Sequence, residues 1–295
     1  MGALGALGAL GALGAMGAKG SVGAISAMGA ARRRMGLADL PAVLLALLVT
    51  IGAWVFTVHS ARSMSSTMPM PGGWSMSMAW MSMGNQSALA HAAMFLVMWA
   101  VMMVAMMLPS VLPAVLLHRG LLASRVGRGD QANGSQWLLV AGYFSIWMLF
   151  GAVAYAIGMA IASAAMGSIH VSLLVPAATG LALGAAGVFQ LTSWKQVCLR
   201  HCRSPLEFFA NHPIRGASDS WRFGLHHGAY CAGCCWGLMV IQLVLGIMSV
   251  PLMAAVALVI LLEKQWRYGE MLARVVGAAT LAAGILLFLQ ATIHP

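Results

Sequence analysis

The stretch LAHAAMFLVMWAVMMVAMMLPSVLPAVL, residues 89–116, runs for 28 residues without one Asp, Glu, Lys or Arg. About 20 apolar residues at 1.5 Å rise cross a hydrocarbon core about 30 Å thick, so this run predicts a transmembrane helix with length to spare. Pro109 and Pro113 near its end predict a kink, or a continuation past the bilayer. Working outward, further apolar runs lie at 40–58, 137–162, 172–192, 230–249, 250–263 and 271–291. Composition agrees. At 61% hydrophobic, 7% charged and a mean hydropathy of +0.88, the chain has too little polar surface to cover a soluble core. The expected fold is all-α, a polytopic transmembrane helical bundle of about seven spans with the lipid bilayer as its first partner. The run at 250–263, between Pro251 and Glu263, is the shortest. If it formed one re-entrant element with the run before it, complete spans would be fewer.

Residues 1–34 read as a separate unit, a low-complexity tail of Gly-Ala-Leu triplets with neither amphipathic period nor caps. The transmembrane domain is expected over 35–295. Arg32, Arg33 and Arg34 precede the first run, which at about 19 residues is nearer an uncleaved span than the short core of a signal peptide. With the N-terminus in the cytoplasm and seven spans, fifteen of the 16 Lys and Arg fall inside and only Arg62 outside. That bias orients the chain with its N-terminus in and its C-terminus out. It also accounts for the net charge of +10, and no basic stripe interleaved with aromatics marks a nucleic-acid partner.

All five cysteines fall within 38 residues near the inner face, where thiols stay reduced. Cys198 and Cys202 are i,i+4 if the fourth helix continues inward. Cys231, Cys234 and Cys235 share one helical face, with His227 one turn earlier. Together they supply thiolates and imidazole for a three- or four-coordinate soft-metal site. The competing reading is that cysteine is a small apolar residue suited to close helix packing in lipid.

Methionine gives an independent signal. Seven of the 24, Met64, Met68, Met70, Met76, Met78, Met81 and Met83, lie in the external loop between the first two spans. Thioethers need no deprotonation and suit a soft cation such as copper(I). In the second span Met94, Met98, Met102 and Met106 recur every four residues beside Met103 and Met107, a stripe that core packing would also produce. His91 continues the external cluster or faces the headgroups. Lys195, Glu263 and Lys264, at inner helix ends, are expected to snorkel to the interface. Walker, dinucleotide-binding, zincin and Ser/His/Asp patterns are lacking, so the sequence supports neither an energised pump nor a hydrolase.

The segments FQLTSWKQVCLRHCRSP (189–205) and GLHHGAYCAGCCWGLM (224–239), with the AMMLP of the second span and Glu263-Lys264, resemble the DUF2182 family of predicted metal-binding integral membrane proteins. The likeness covers roughly 35–270. It departs at Thr192-Ser193-Trp194-Lys195, where the family has Thr-Pro-Leu-Lys, and at Met248-Ser249, where it has Met-Asn. The resemblance implies a bacterial cytoplasmic (inner) membrane protein with a metal role on Cys198, Cys202, Cys231, Cys234 and Cys235, and no established reaction. From the residues themselves the expected site adds His227, Met102, Met106 and Met107. The expected cargo is copper(I), with zinc the other ion the thiols would take. The expected role is copper uptake or delivery to a membrane cuproenzyme. Two other classes stay open: a membrane thiol redox enzyme cycling Cys231 and Cys234, and a structural or assembly subunit without metal.

Overall fold

A computed structural model describes residues 39–63, 66–81, 87–125, 130–203 and 217–293, with side chains omitted at 121–125 and 130–133. Eight α-helices carry the described fold: α1 Leu40–Ser63, α2 Ala88–Arg125, α3 Asp130–Gly167, α4 Ile169–Leu191, α5 Ser193–Arg203, α6 Ala217–Gly246, α7 Val250–Gln265 and α8 Gly269–Ile293. Six of them, α1, α2, α3, α4, α6 and α8, contain stretches long and apolar enough to cross a membrane. The surface pattern is inverted relative to a water-soluble fold. Leu48, Val55, Leu149, Leu174 and Leu286 are exposed, whereas His118, Gln190, Lys195 and Glu263 are buried. Lipid as the outer solvent explains both halves of that pattern.

The sequence-expected spans correspond to helices, with three differences. The run at 250–263 is the 16-residue α7, which at about 24 Å falls short of a full hydrocarbon core. The fifth run begins not at 230 but at Ala217, because the polar segment before it is helical too and opens with Asp219 in its first turn. Cys231 therefore lies midway along α6, about 22 Å from Gly246. Finally, the fourth helix does not continue inward. The chain breaks at Thr192, whose backbone is extended (ψ 154°) and whose hydroxyl donates to Phe189 O (2.7 Å) while accepting from Lys195 N (3.4 Å). A new helix, α5, starts there.

Close helix approach is bought with glycine. A Cβ at Gly142 on α3 would stand 2.6 Å from Trp221 O on α6, and one at Gly180 on α4 would stand 2.6 Å from Phe288 N on α8. These small residues let α3 lie against α6 and α4 against α8, backbone to backbone. Asp39, just before α1, meets Arg119 of α2 at 3.8 Å, so the two helices run antiparallel. One buried cluster fills the centre between α2, α3, α6 and α7 and contains Trp99, Met103, Met107, Tyr143, Cys231, Cys234, Met239 and Ile260.

A β-hairpin follows α1: β1 Thr67–Met70 pairs antiparallel with β2 Trp74–Ser77. Its turn carries Gly72 and Gly73 at φ +94° and +74°, a conformation that only glycine adopts without strain. Ser172 of α4 donates to Pro71 O (2.8 Å) and accepts from Trp74 Nε1, which also reaches Ser172 O (3.0 Å), so the hairpin is fastened to the end of the α3–α4 pair.

Candidate metal centre

On α6 the Cys-x-x-Cys-Cys spacing turns three sulfurs to the buried face, and Cys231, Cys234 and Cys235 are at most 1% exposed. On α5 the i,i+4 pair Cys198 and Cys202 faces them. Cys202 Sγ lies 3.7 Å from Cys234 Sγ, and Cys234 Sγ lies 3.3 Å from Cys235 Sγ. Cys231, one turn earlier on the same face of α6, accepts from Cys234 Sγ at its backbone carbonyl (3.2 Å). Four of the five sulfurs thus form one cluster. The fifth, Cys198, lies at its edge beside Gly233, where a Cβ would come within 3.3 Å of its sulfur. Burial pushes the Cys198 thiol up from its ordinary pKa, while the nearby Lys195 ammonium pulls it down. All five are free cysteines.

Cys231 is the thiol that oxygen and nitrogen side-chain groups reach. Tyr143 OH lies 2.9 Å from its sulfur, and Lys264 Nζ donates to it at 2.8 Å and to Ser110 Oγ at 3.2 Å. The expectation that Lys195 and Lys264 snorkel is overturned. Lys195 is fully buried and ion-paired with Glu263 at 2.6 Å, and Gln190 Nε2 donates to the same carboxylate at 3.4 Å. The cause is the position of the last turn of α7, wedged between α5 and α6. Glu263 and Lys264 are about 100° apart around the helix, so one meets α5 and the other the thiols. Each buried charge is thereby given a partner.

The methionine stripe divides. Met102, Met103, Met106 and Met107 are at most 2% exposed and belong to the same buried cluster as the three α6 thiols, whereas Met94 is 44% exposed on the outer surface of α2. Met239 and Met253 join that cluster. The sequence reading passed over both, although Met239 is one turn from Cys235 on α6. His227 is buried, parallel to Phe223 (5.8 Å, 14°) and 5.8 Å from the Tyr143 ring; it borders the thiols and hydrogen-bonds none of them among the described contacts. His91 does not face headgroups: it is 5% exposed, with Nδ1 2.8 Å from Tyr155 OH.

The hairpin methionines form a face. Strand register pairs Met68 with Met76 and Met70 with Trp74, so all four side chains share one side of the hairpin. Met76, 1% exposed, packs on Ala162 and Ala165 of α3, while Met68 stays 40% exposed. Met64 and Met83 lie outside the described residues. From the hairpin toward the middle of the bundle, aromatic rings follow one another along α2 and α3. Trp80 meets Phe95 (5.3 Å), Phe95 stacks with Trp99 (6.1 Å), and Trp99 Nε1 donates to Trp147 O (2.9 Å).

The donor set is soft and its spacing is close to a metal's. Thiolates on a tetrahedral ion with bonds near 2.3 Å stand about 3.8 Å apart, which the Cys202–Cys234 separation of 3.7 Å matches. Cys234 and Cys235, at 3.3 Å, would have to open by about 0.5 Å. Accordingly, no three His, Cys, Asp or Glu side chains among the described residues stand as a ready-made metal-holding group. A family model described as PpoB2, copper chaperone, matches residues 96–287. The chain belongs to the PpoB2 copper chaperone family. The PpoB2 match takes in all five cysteines, Tyr143, Lys264 and the buried methionines of α2; it leaves out α1 and the hairpin. No curated protein and no solved structure matches the chain.

Proposed function

We propose that this chain is a membrane copper(I) chaperone that holds its cargo at Cys202, Cys231, Cys234 and Cys235 and delivers it to a membrane cuproenzyme. The observation that carries the reading is the four-thiol cluster, three of its cysteines buried and Cys202 partly so, bordered by methionines, in a chain of a copper chaperone family. Soft sulfur donors suit copper(I), and thioethers, which zinc(II) disfavours, make copper the better match. Cys198 would join as the cargo enters or leaves, since it lies at the cluster's edge and only part of its surface is covered. Met102, Met106 and Met107 would contact or shepherd the ion, and His227 would shape the wall.

With the N-terminus inside, as the Lys and Arg bias argues, the hairpin lies on the outer side and the thiols toward the inner leaflet of a bacterial cytoplasmic membrane. Methionines bind copper(I) more weakly than thiolates, so an ion taken up at the hairpin would gain affinity inward. Metal analysis of purified protein from cells supplied with copper and zinc tests the proposal. Copper retained by the wild type and lost from a C231S/C234S/C235S variant is the expected result. Retained zinc without copper, or no metal with a thiol pair that cycles under oxidant and reductant, would replace it with the zinc or redox reading.

A further inference from the structure

On the same side of the bundle as the last turn of α7, arginines from three elements meet. Arg200 and Arg203 of α5, Arg267 in the α7–α8 turn and Arg274 in the second turn of α8 line one cleft of about 520 Å³. Four guanidiniums face a single carboxylate there, Glu270. None of the four forms an ion pair among the described residues, and three make other contacts, Arg200 through Nε to Gln196 O at 3.4 Å. Arg203 Nη2 donates to Trp266 O at 2.7 Å, which ties α5 to the α7–α8 turn, and the Arg267 guanidinium lies 4.6 Å over the Tyr268 ring. Positive-inside topology explains arginines at this end of the bundle, but it does not require them to converge from separate elements into one hollow.

The cleft has a second, apolar character. Met271 lines it and is 65% exposed, and Val275, one turn further along α8, is 57% exposed. Trp266 and Tyr268, each 46% exposed, stand at the junction, as aromatic side chains do at the boundary of headgroups and acyl chains. A bare anion would use the guanidiniums and leave that apolar wall wet. A molecule with a negative phosphodiester at one end and a hydrocarbon chain at the other would use both. We propose that this cleft is a binding site for the headgroup of an anionic phospholipid, with the phosphodiester among Arg200, Arg203, Arg267 and Arg274 and an acyl chain along Met271 and Val275.

The test uses the full chain, delipidated in a neutral detergent, with native mass spectrometry and thermal unfolding as readouts. Phosphatidylglycerol, phosphatidylcholine and inorganic phosphate are added separately to the wild type, to R203Q/R274Q and to the charge-matched control R119Q/R222Q. Expected are phosphatidylglycerol adducts and a raised Tm for the wild type and the control, binding weakened roughly tenfold or more in R203Q/R274Q, and little effect of phosphatidylcholine or phosphate. Equal loss in both double variants would show general charge attraction and overturn the site. Phosphate stabilising as well as the lipid would overturn its lipid identity. Should R203Q/R274Q fail to fold, R274Q alone carries the same comparison against R222Q. Copper content of the wild type, R274Q and R222Q is read in parallel and is expected to stay unchanged, since Arg274 lies on α8, which carries none of the cysteines, so failure here is separable from failure of the chaperone reading.

Discussion

Replacing Lys264 with Met should weaken copper binding while leaving every sulfur in place. Copper(I) held by all four thiolates carries a net charge of −3, and by any three of them −2, and the interior offers this cluster few cations. Lys264, 8% exposed and 2.8 Å from Cys231 Sγ, is the ammonium in contact with it. Each unit of negative charge that binding adds about 4 Å from the ammonium is worth about 4 kcal/mol at an effective dielectric constant of 20. The loss predicted for K264M is therefore about three decades in Kd for each unit of negative charge that binding adds, reduced where water or a shifted side chain compensates. Competition against a chromophoric copper(I) chelator under reducing conditions measures it, with Tm in detergent reporting on the fold. K264R keeps the charge and should recover part of the affinity. A K264M protein with wild-type Tm and a Kd within about threefold of wild type would refute the charge-compensation reasoning.

Removing the Tyr143 hydroxyl in Y143F takes one hydrogen bond from Cys231, and about 1–2 kcal/mol of copper affinity, roughly tenfold, should go with it in the same competition assay. Changing Met68, Met70 and Met76 together to Leu should slow copper loading in stopped-flow measurements and leave the final stoichiometry at the thiols unchanged, since the hairpin is separate from the cluster. Because burial raises the Cys198 pKa and only the thiolate is nucleophilic, alkylation of Cys198 in a protein lacking the other four thiols should be slower at pH 7 than for free cysteine. Its rate should still be climbing above the ordinary thiol range, as mass spectrometry of the labelled protein would show. G180V should lower Tm by several degrees by forcing α4 off α8, because the new side chain meets the backbone at Phe288 rather than a movable side chain.

What could be read in the sequence was what depends on local pattern. The apolar run around Met102 marks α2 because its length alone meets the bilayer's requirement, and the Cys-x-x-Cys-Cys spacing fixes one helical face whatever surrounds it. The partners of Cys231 could not be read that way. Tyr143 is 88 residues away on α3 and Lys264 is 33 away on α7, and both arrive only through helix packing. Lys264 was misjudged because a lysine at a helix end snorkels by default, and nothing local shows that α6 stands in its path. The hairpin was readable and was passed over. Thr-Met-Pro-Met and Trp-Ser-Met-Ser alternate with the strand period about the Pro-Gly-Gly turn, and the methionines that supply the alternation are equally the residues a soft-metal loop would use. The break at Thr192 had only a departure from a resembling family's motif as its trace.

The central claim is that sulfur from this cluster is what holds the cargo. X-ray absorption at the copper edge of the purified, copper-loaded protein tests it most directly. Expected is copper(I) bound by sulfur alone, with the signal lost together with the metal in C231S/C234S/C235S. Copper bound through nitrogen or oxygen, or a copper signal unchanged in that triple variant, would contradict it.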